Sequence, residues 1–327
     1  MSIMLDEIME EPEAIENTYR INSEKLHELQ EILEKSEFIF VTGSGTSYHA
    51  AHYLSMLLLA SGMRSAPFHS PDYGDFMVSK IARGSVNIVF SQSGESLDAL
   101  QNMKLSKGRG IKVIGVTNEE NSTLARESDF PIITGAGRER SVAATKSHTV
   151  QLAISMAIYN QINSIDNTNE ITMVAGAIRK IVSRTREIEQ FAARLTERIV
   201  FLGSELAYPS AMEGDLKFKE TSGIISEAYS TREYLHGPIH RINKSTSIVL
   251  LGGNHEVDQS VFNRLKEGTD HILRIGGKDS HIAVPEANHV ILPIFYVTVL
   301  QILANAMALK LGYDPDHPEN LTKVVRE

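Results

Sequence analysis

The chain has 327 residues, 42% hydrophobic and 22% charged, which is the composition of a soluble globular protein of about two domains. It contains no cysteine, which excludes disulfides, thiolate metal sites and a cysteine nucleophile, and its formal net charge of -9 argues against broad nucleic-acid binding. The sequence has no run of about 18 or more apolar residues, so it predicts no membrane span. The acidic N-terminus lacks the basic start of a signal peptide, so we expect a cytoplasmic protein.

Apolar strand patterns alternate with helical patterns after an acidic, helical stretch of 35 residues. The predicted elements are strands at 38–41, 87–90, 112–116 and 129–133 and helices at about 48–60 and 97–106. Because strands and helices alternate and the strands are apolar throughout, they indicate a parallel sheet covered by helices on both faces.

The second half of the chain repeats this plan at an offset of about 160 residues. Residues 198–204 correspond to 38–44, and residues 247–251 correspond to 87–91. Residues 271–276 lie where the same offset, counted from the strand at 112–116, predicts a strand. Three correspondences in order, at nearly one offset, indicate duplicated subdomains.

The predicted fold class is therefore α/β, with two tandem doubly wound parallel-sheet subdomains and helical N- and C-terminal extensions. A polar linker at 164–169 separates the halves and precedes a long amphipathic helix pattern at 170–195. The predicted domains are the extension 1–35, the first subdomain 36–165, the linker helix and second subdomain 166–310, and the tail 311–327.

The loop Ser91-Gln92-Ser93-Gly94-Glu95-Ser96 follows a buried strand and opens a helix. Open α/β sheets bind ligands at the carboxyl ends of their strands, and hydroxyls with backbone N–H groups at a helix start can surround a phosphate. Serine and glycine equally favour a plain turn and helix cap, so the residues alone leave both interpretations open. The corresponding segment 251–256 lacks the hydroxyl cluster, which predicts one phosphate site per chain, in the first half.

A second hydroxyl-rich loop, Gly43-Ser44-Gly45-Thr46-Ser47, also joins a strand to a helix. It lacks a G-x-G-x-x-G arrangement and no Walker lysine follows it, which disfavours nucleotide binding. Two such loops on neighbouring strands could hold opposite ends of one small polyol phosphate.

Candidate proton-transfer groups lie in the second half. Lys217 and Glu220 share a face of a predicted helix, either as an electrostatic partner and its base or as a solvated ion pair, which is the commoner case. His236 precedes Gly237-Pro238 on a constrained turn, either as an acid–base catalyst or as a loop histidine that only hydrogen-bonds. The histidines show no metal-binding spacing, so no metal is predicted.

Together these motifs resemble the SIS (sugar isomerase) family, and within it the isomerase half of the glutamine–fructose-6-phosphate aminotransferases. The resemblance covers nearly the whole chain, and the order and spacing of its segments make it specific. Those segments are Met9–Ile15, Gly45–Tyr48, Ser91–Glu95, Ser122–Asp129, Val142–Lys146, Glu213–Glu220, His236–Pro238 and Pro318–Val324.

The resemblance implies where a sugar phosphate binds. It assigns the phosphate to Ser91, Gln92, Ser93 and Ser96, and the sugar to Ser44, Gly45, Thr46, Ser47 and the backbone of Val142. The family usually has threonine at the last phosphate position, where Ser96 keeps the hydroxyl. Ala144 stands where the family commonly has serine, so one sugar contact is missing.

The resemblance also implies catalytic roles. It makes Glu220 the base that moves a proton between C1 and C2, with Lys217 supporting the charge of the site. It implies a homodimer in which His236 serves ring opening in the neighbouring subunit. Lys323 is implied to form a Schiff base with the open-chain ketose, and no cofactor is implied.

The aminotransferases also have a glutaminase domain with a cysteine nucleophile, and this chain has no cysteine. The resemblance therefore implies a stand-alone deaminase/isomerase that converts glucosamine-6-phosphate to fructose-6-phosphate and ammonia. The alternatives are a fructosamine-6-phosphate deglycase or other aldose–ketose isomerase, the isomerase subunit of a split synthase with a separate glutaminase, and a non-catalytic sugar-phosphate sensor. Sensors of this family usually carry a DNA-binding domain, whereas the first 35 residues here form an acidic helical pattern, so we expect no nucleic-acid partner.

Overall fold

Most strands of this protein are short apolar runs, and a helical segment joins most of them to the next strand. The computed structural model describes residues 2–80, 83–252 and 256–323. The strands are β1 Phe38–Gly43, β2 Ser65–His69, β3 Ser85–Phe90, β4 Lys112–Thr117, β5 Phe130–Ile133, β6 Arg198–Gly203, β7 Ile225–Ser230, β8 Ser247–Leu251, β9 Ile272–Gly276 and β10 Ile282–Ala283. The α-helices are α1 Ile3–Met9, α2 Glu11–Asn22, α3 Lys25–Glu34, α4 Thr46–Ala60, α5 Asp75–Val78, α6 Leu97–Gly108, α7 Thr123–Glu127, α8 Lys146–Ile162, α9 Asn167–Val182, α10 Thr185–Ala192, α11 Ala207–Ser222, α12 Glu256–Lys266 and α13 Leu292–Leu311.

Within the described residues, the strands form two five-stranded sheets in which every neighbouring pair is parallel. The orders are β2-β1-β3-β4-β5 and β7-β6-β8-β9-β10, so each half places its own strands in the order second, first, third, fourth, fifth. All of β3 and β8 is buried, as expected of strands with helices on both faces. The predicted pair of doubly wound α/β subdomains is confirmed.

A glycine at the end of the first strand in each half shows the same duplication in detail. A Cβ atom on Gly43 would lie 2.4 Å from the backbone of Ser47, and one on Gly203 would lie 2.4 Å from the carbonyl oxygen of Ala207. No side chain fits at that separation, so only glycine lets α4 and α11 begin this close to their strands.

The chain divides into two compact units, each discontinuous in sequence. The N-terminal unit consists of Glu10–Glu139, Lys146–Gly176 and Thr322–Glu327, and the C-terminal unit consists of Met1–Met9, Arg140–Thr145 and Ala177–Leu321. In the N-terminal unit α4 packs on β1, β2 and α8, and in the C-terminal unit α13 packs on α10 and α11. The domain boundaries drawn along the sequence at 35, 165 and 310 stay a prediction.

The long helix predicted at 170–195 is wrong, because two helices, α9 and α10, occupy this segment. The helix stops at Ser183-Arg184, where the N–H of Arg184 bonds the carbonyl of Ile181 and the Thr185 hydroxyl bonds that of Val182. The Arg184 guanidinium also donates to the carbonyl oxygen of Ala283 at 2.6 Å, a tertiary contact that the local helical pattern does not reveal.

Three strands escaped the sequence prediction, namely β2, β7 and β10. Each lies at the edge of its sheet and is only partly buried. Edge strands need no continuous apolar run, and β2 even contains Pro67, which lacks an N–H for pairing.

Helix α13 has the length and composition of a possible membrane span, although it contains no run of 18 apolar residues. It has 20 residues and a mean hydropathy of 1.8, enough by length and composition to cross a membrane. However, 83% of its most apolar window is buried inside the protein. A helix that is apolar on all sides is equally typical of a core helix, and this is the role that α13 has here.

Candidate functional site

The serine loop, residues 91–96, lies at the carboxyl end of β3 in the N-terminal unit. The N–H of Ser91 continues the pairing with β4 by donating to the carbonyl of Val116. The carbonyl of Gln92 accepts from the N–H of Asn118 at 3.0 Å and from the hydroxyl of Thr117 at 3.2 Å. These bonds attach the loop to the end of the neighbouring strand.

Gly94 allows the serine loop to turn back against the start of α7. Its φ is +62°, and a Cβ atom there would lie 2.2 Å from the hydroxyl oxygen of Ser122. The carbonyl of Gly94 accepts from the N–H of Leu124, and the Glu95 carboxylate accepts from the N–H of Thr123 at 2.6 Å. Glu95 therefore caps α7, and these bonds attach the loop to the start of that helix.

The three serine hydroxyls of the loop make local hydrogen bonds. The Oγ of Ser91 accepts from the N–H of Gly94 at 3.1 Å, and the Oγ of Ser93 accepts from the N–H of Glu95 at 3.2 Å. The Oγ atoms of Ser91 and Ser96 lie 3.2 Å apart, at the start of α6. A hydroxyl that accepts a bond still carries its own O–H donor, and the helix N-terminus adds positive potential. The geometry suits an anion.

Replacing Ser93 by alanine should weaken the binding of a sugar phosphate by about tenfold or more, because a hydrogen bond to a charged group contributes roughly 1.5–3 kcal/mol. Isothermal titration calorimetry with fructose-6-phosphate measures the change. Ser36→Ala is the matched control, because the Ser36 hydroxyl bonds the carbonyl of Ile32 in α3, outside the serine loop. Unchanged affinity in a folded Ser93→Ala variant would remove Ser93 from the phosphate site.

The second hydroxyl-rich loop leaves the carboxyl end of β1, which pairs directly with β3. Ser44 and Gly45 are exposed, Thr46 is half-buried, and Ser47 is buried. The Oγ of Ser47 accepts from the Gln151 side chain at 3.3 Å. The fold therefore places both hydroxyl-rich loops on neighbouring strands at the same edge of one sheet.

Three histidines surround Tyr48 at the start of α4, a feature that the sequence analysis missed. The Tyr48 ring stacks on His69 with centroids 3.4 Å apart, and the rings of His49 and His52 lie 6.2 and 6.0 Å away. Burial, with a smaller contribution from His49 and His69, lowers the pKa of His52. Burial also lowers the pKa of His69, against an opposing effect of Asp72. These shifts favour uncharged His52 and His69 rings at neutral pH.

A cluster of charged side chains lies on α11 in the C-terminal unit. The Lys217 ammonium hydrogen-bonds the Glu220 carboxylate and lies 3.5 Å from the Glu213 carboxylate. Lys217 and Glu213 are fully buried, while the Glu220 side chain is 23% exposed. The prediction of a solvated ion pair, which the spacing favoured, is therefore wrong, because the Lys217 ammonium is buried inside the protein.

The close packing of α11 explains how Lys217 comes to be buried. A Cβ atom on Gly214 would lie 3.0 Å from the side chains of both Leu300 and Phe201, so glycine brings α11 close to α13 and β6. The sequence analysis gave Glu213 no role, although its spacing of four residues from Lys217 was a visible signal. The structure adds Glu213 as the buried carboxylate on the other side of Lys217.

His236 lies on the segment after β7, between 3-10 helices at Glu233–Leu235 and Pro238–Arg241. Its N–H donates to the carbonyl of Glu233, and its side chain is exposed. Tyr234 anchors the segment in a core cluster with Val200 and Leu202. Tyr234 therefore fixes the turn to the core, and the His236 imidazole is exposed.

The remaining predicted residues divide between the units. In the C-terminal unit the N–H of Val142 donates to the carbonyl of Asp316 at 3.2 Å. The sugar contact of the Val142 backbone stays a prediction. In the N-terminal unit the Lys323 ammonium bonds the buried Glu139 carboxylate at 2.6 Å. Residue Val324 of the predicted tail motif lies outside the described residues.

The C-terminal unit has its own cavity, of about 950 Å³, along the carboxyl edge of its sheet. Its lining includes Ser204, Ser230, Arg232, Gly252, His289 and Tyr296. Residues 253–255, which belong to the counterpart of the serine loop, lie outside the described residues. The prediction of a single phosphate site per chain therefore stays a prediction.

Comparisons with known proteins support the fold and identify the family. The model of the SIS domain matches residues 32–161 and 195–311. The glutamine–fructose-6-phosphate aminotransferase (isomerizing) of Sulfurisphaera tokodaii is 33% identical over 98% of this chain and 56% of its own length. The chain thus spans a little over half the length of such curated relatives.

Two solved structures resemble the whole chain. The glucosamine-6-phosphate deaminase of Thermotoga maritima superposes with a TM-score of 0.85 at 25% identity, over 100% of both chains. The C-terminal domain of a glucosamine-fructose-6-phosphate aminotransferase from Francisella tularensis superposes with a TM-score of 0.80 at 28% identity, over 97% of this chain and 98% of that one. The chain therefore belongs to the SIS domain family, with one α/β SIS subdomain in each half.

Proposed function

We propose that this protein is an amino-sugar phosphate deaminase/isomerase that converts glucosamine-6-phosphate and water into fructose-6-phosphate and ammonia. Its family and relatives support an enzyme of the sugar-phosphate isomerase type. The observation that carries the deaminase reaction is the match to the Thermotoga maritima deaminase over the full length of both chains. The aminotransferases extend well beyond the part that this chain matches.

The proposal assigns substrate binding to the two hydroxyl-rich loops of the N-terminal unit. The serine loop would hold the phosphate through the hydroxyls of Ser91, Ser93 and Ser96 and the side chain of Gln92. The loop at residues 44–47 and the carbonyl of Val142 would hold the sugar. Phosphate binding by preformed donors orients the reacting carbons without further ordering of the loop.

The proposal assigns proton transfer to Glu220. After ring opening, with His236 of a second subunit as the acid–base group, a carboxylate base removes the proton from C2 and returns it to C1. This step turns the C2 amine into an imine and the C1 aldehyde into an alcohol, and the C1 oxygen gains the proton that the nitrogen loses. The Lys217 ammonium fixes one Glu220 oxygen by a hydrogen bond, and Glu213 holds Lys217 from the other side. The base is therefore oriented before the substrate binds.

Lys323 completes the proposed reaction. A primary amine can attack the C2 imine carbon and release ammonia, which leaves a Schiff base between Lys323 and the ketose. Water then hydrolyses this Schiff base to fructose-6-phosphate and regenerates the lysine. The proposal places this enzyme in the cytoplasm, requires no cofactor, and takes a small-molecule sugar phosphate as its substrate.

The isomerase subunit of a split glucosamine-6-phosphate synthase is a second candidate. It is favoured by the curated relatives, which are aminotransferases matched over 98% of this chain but only 56% of their own length. In that case a separate glutaminase chain would supply ammonia, and the reaction would run from fructose-6-phosphate toward glucosamine-6-phosphate.

An assay of ammonia release and sugar interconversion tests both candidates. The substrates are glucosamine-6-phosphate, galactosamine-6-phosphate and fructosyl-amino-acid 6-phosphates. We expect ammonia and fructose-6-phosphate from the first of these. Release of a free amino acid instead would identify a deglycase, and ketose–aldose interconversion without ammonia would identify a plain isomerase. Synthesis of glucosamine-6-phosphate from fructose-6-phosphate that needs an added glutaminase would identify the split synthase. Binding of a sugar phosphate without turnover would identify a sensor.

We expect the active site to need a homodimer with His236 shared across the interface. A two-fold dimer then holds two equivalent sites, each built from both chains. Mixing inactive Glu220→Gln and His236→Ala subunits should restore about a quarter of wild-type activity, because about half of randomly formed dimers are mixed and each has one intact site. Differential tagging confirms the exchange, and exchange without recovered activity would show that His236 does not act across subunits.

A further inference from the structure

Glu139 is a buried carboxylate in the segment between β5 and α8, and the sequence analysis gave it no role. Its side chain is 0% exposed. One oxygen accepts from the N–H of Ser147 at 3.1 Å, and the other accepts from the Ser147 hydroxyl at 2.7 Å. That second oxygen also accepts from the Lys323 ammonium at 2.6 Å. The carboxylate is therefore held by the first turn of α8 and directed at Lys323.

Support of α8 alone does not account for this arrangement. The two hydrogen bonds from Ser147 already attach the Glu139 carboxylate to the start of α8. A carboxylate at that position is stabilised by the helix dipole and needs no neighbouring cation. Lys146, at the same helix start, pairs with Glu10 at 2.5 Å. Lys323 lies 184 residues from Glu139 in the sequence, and its side chain is 26% exposed. Ordering a lysine side chain costs conformational entropy, which a purely structural ion pair must offset.

We propose that Glu139 is a positioning residue for Lys323, which fixes the amine and accepts its proton when the Schiff base forms. This inference rests on the role that the proposed function gives to Lys323. An ammonium has no lone pair, so it must lose a proton before it attacks a carbon. The Glu139 oxygen at 2.6 Å receives that proton, and the amine then forms its C–N bond to C2 of an open-chain ketose.

The proton returns as the Schiff base is completed. The C2 oxygen of the carbinolamine leaves as water, taking up the proton from the Glu139 carboxyl, and the nitrogen retains one hydrogen as an iminium. The sum is one ketone plus one ammonium giving one iminium plus one water, so no other reactant is needed. Glu139 then faces the iminium in place of the ammonium and stabilises its positive charge by the same ion pair.

Borohydride trapping of the Schiff base tests the inference. The enzyme is incubated with fructose-6-phosphate and sodium borohydride, and mass spectrometry of the peptide that carries Lys323 gives the rate of adduct formation. Glu139→Gln keeps the shape of the side chain but accepts no proton, so the rate should fall by at least about tenfold. The dissociation constant for fructose-6-phosphate should change by less than about twofold, because the serine loop is untouched.

Glu11→Gln is the matched control. Glu11 is also a buried carboxylate that bonds α8, through the Thr149 hydroxyl at 2.6 Å, and this variant should trap the ketose at the wild-type rate. Glu139→Asp keeps the charge but withdraws it by one methylene group, so its rate should lie between those of wild type and Glu139→Gln. The Asp variant carries the test if the Gln variant does not fold.

The outcomes separate this inference from the proposed function. Absence of an adduct in the wild type would refute the Schiff-base role of Lys323, and the inference with it. An adduct that forms at the wild-type rate in folded Glu139→Gln, or in Glu139→Asp if only that variant folds, would overturn the inference alone. Equal losses in Glu139→Gln and Glu11→Gln would also overturn it, because they would reduce Glu139 to a support of α8.

Discussion

Replacing Glu220 by glutamine should lower turnover by about 10² or more while leaving the affinity for the sugar phosphate nearly unchanged. Glutamine fills the same volume and can still bond the Lys217 ammonium through its amide oxygen, but it is not a base that can take a proton from carbon. The Glu220 side chain is 23% exposed beside a fully buried lysine, so the carboxylate is the solvent-accessible member of the pair.

The measurement is deuterium exchange at C1 and C2 of the sugar, followed by NMR. Exchange reports the proton transfer itself and is independent of ammonia release. Glu197→Gln, at an exposed position before β6, is the control for a general effect of lost charge. Exchange at the wild-type rate in folded Glu220→Gln would exclude this residue as the base.

Replacing Lys217 by alanine should lower the free energy of unfolding by about 3–5 kcal/mol, because it leaves the fully buried Glu213 carboxylate without its ammonium partner. Lys219→Ala, two residues along the same helix, is the matched control. Its side chain is 45% exposed in an ion pair with Asp215, and exposed pairs contribute at most about 1 kcal/mol.

Urea unfolding at neutral pH, followed by circular dichroism, measures both variants. Changing Glu213 to leucine in addition should restore a large part of the stability lost in Lys217→Ala, because it removes the buried charge that the lysine had balanced. Equal losses in Lys217→Ala and Lys219→Ala would contradict the interpretation that Lys217 forms a buried ion cluster.

The residues of the candidate site were predictable from the sequence only where their signal is local. The serine loop stood out because hydroxyls cluster between a buried strand and a helix, and its position at the end of β3 follows from that order alone. Lys217 and Glu220 were found from helical spacing, but spacing does not reveal burial. Their environment depends on how closely Gly214 lets α11 approach α13.

The sequence by itself determined the fold class and the duplication, because both depend on short-range patterns: apolar strands, helical periodicity and glycines such as Gly43 and Gly203 that recur about 160 residues apart. Only the tertiary structure decided the edge strands, the break between α9 and α10, and the pairing of Glu139 with Lys323 across 184 residues. The physical reason is that burial and long-range ion pairs arise when separate elements pack together, and no local pattern records which distant side chain a carboxylate will meet.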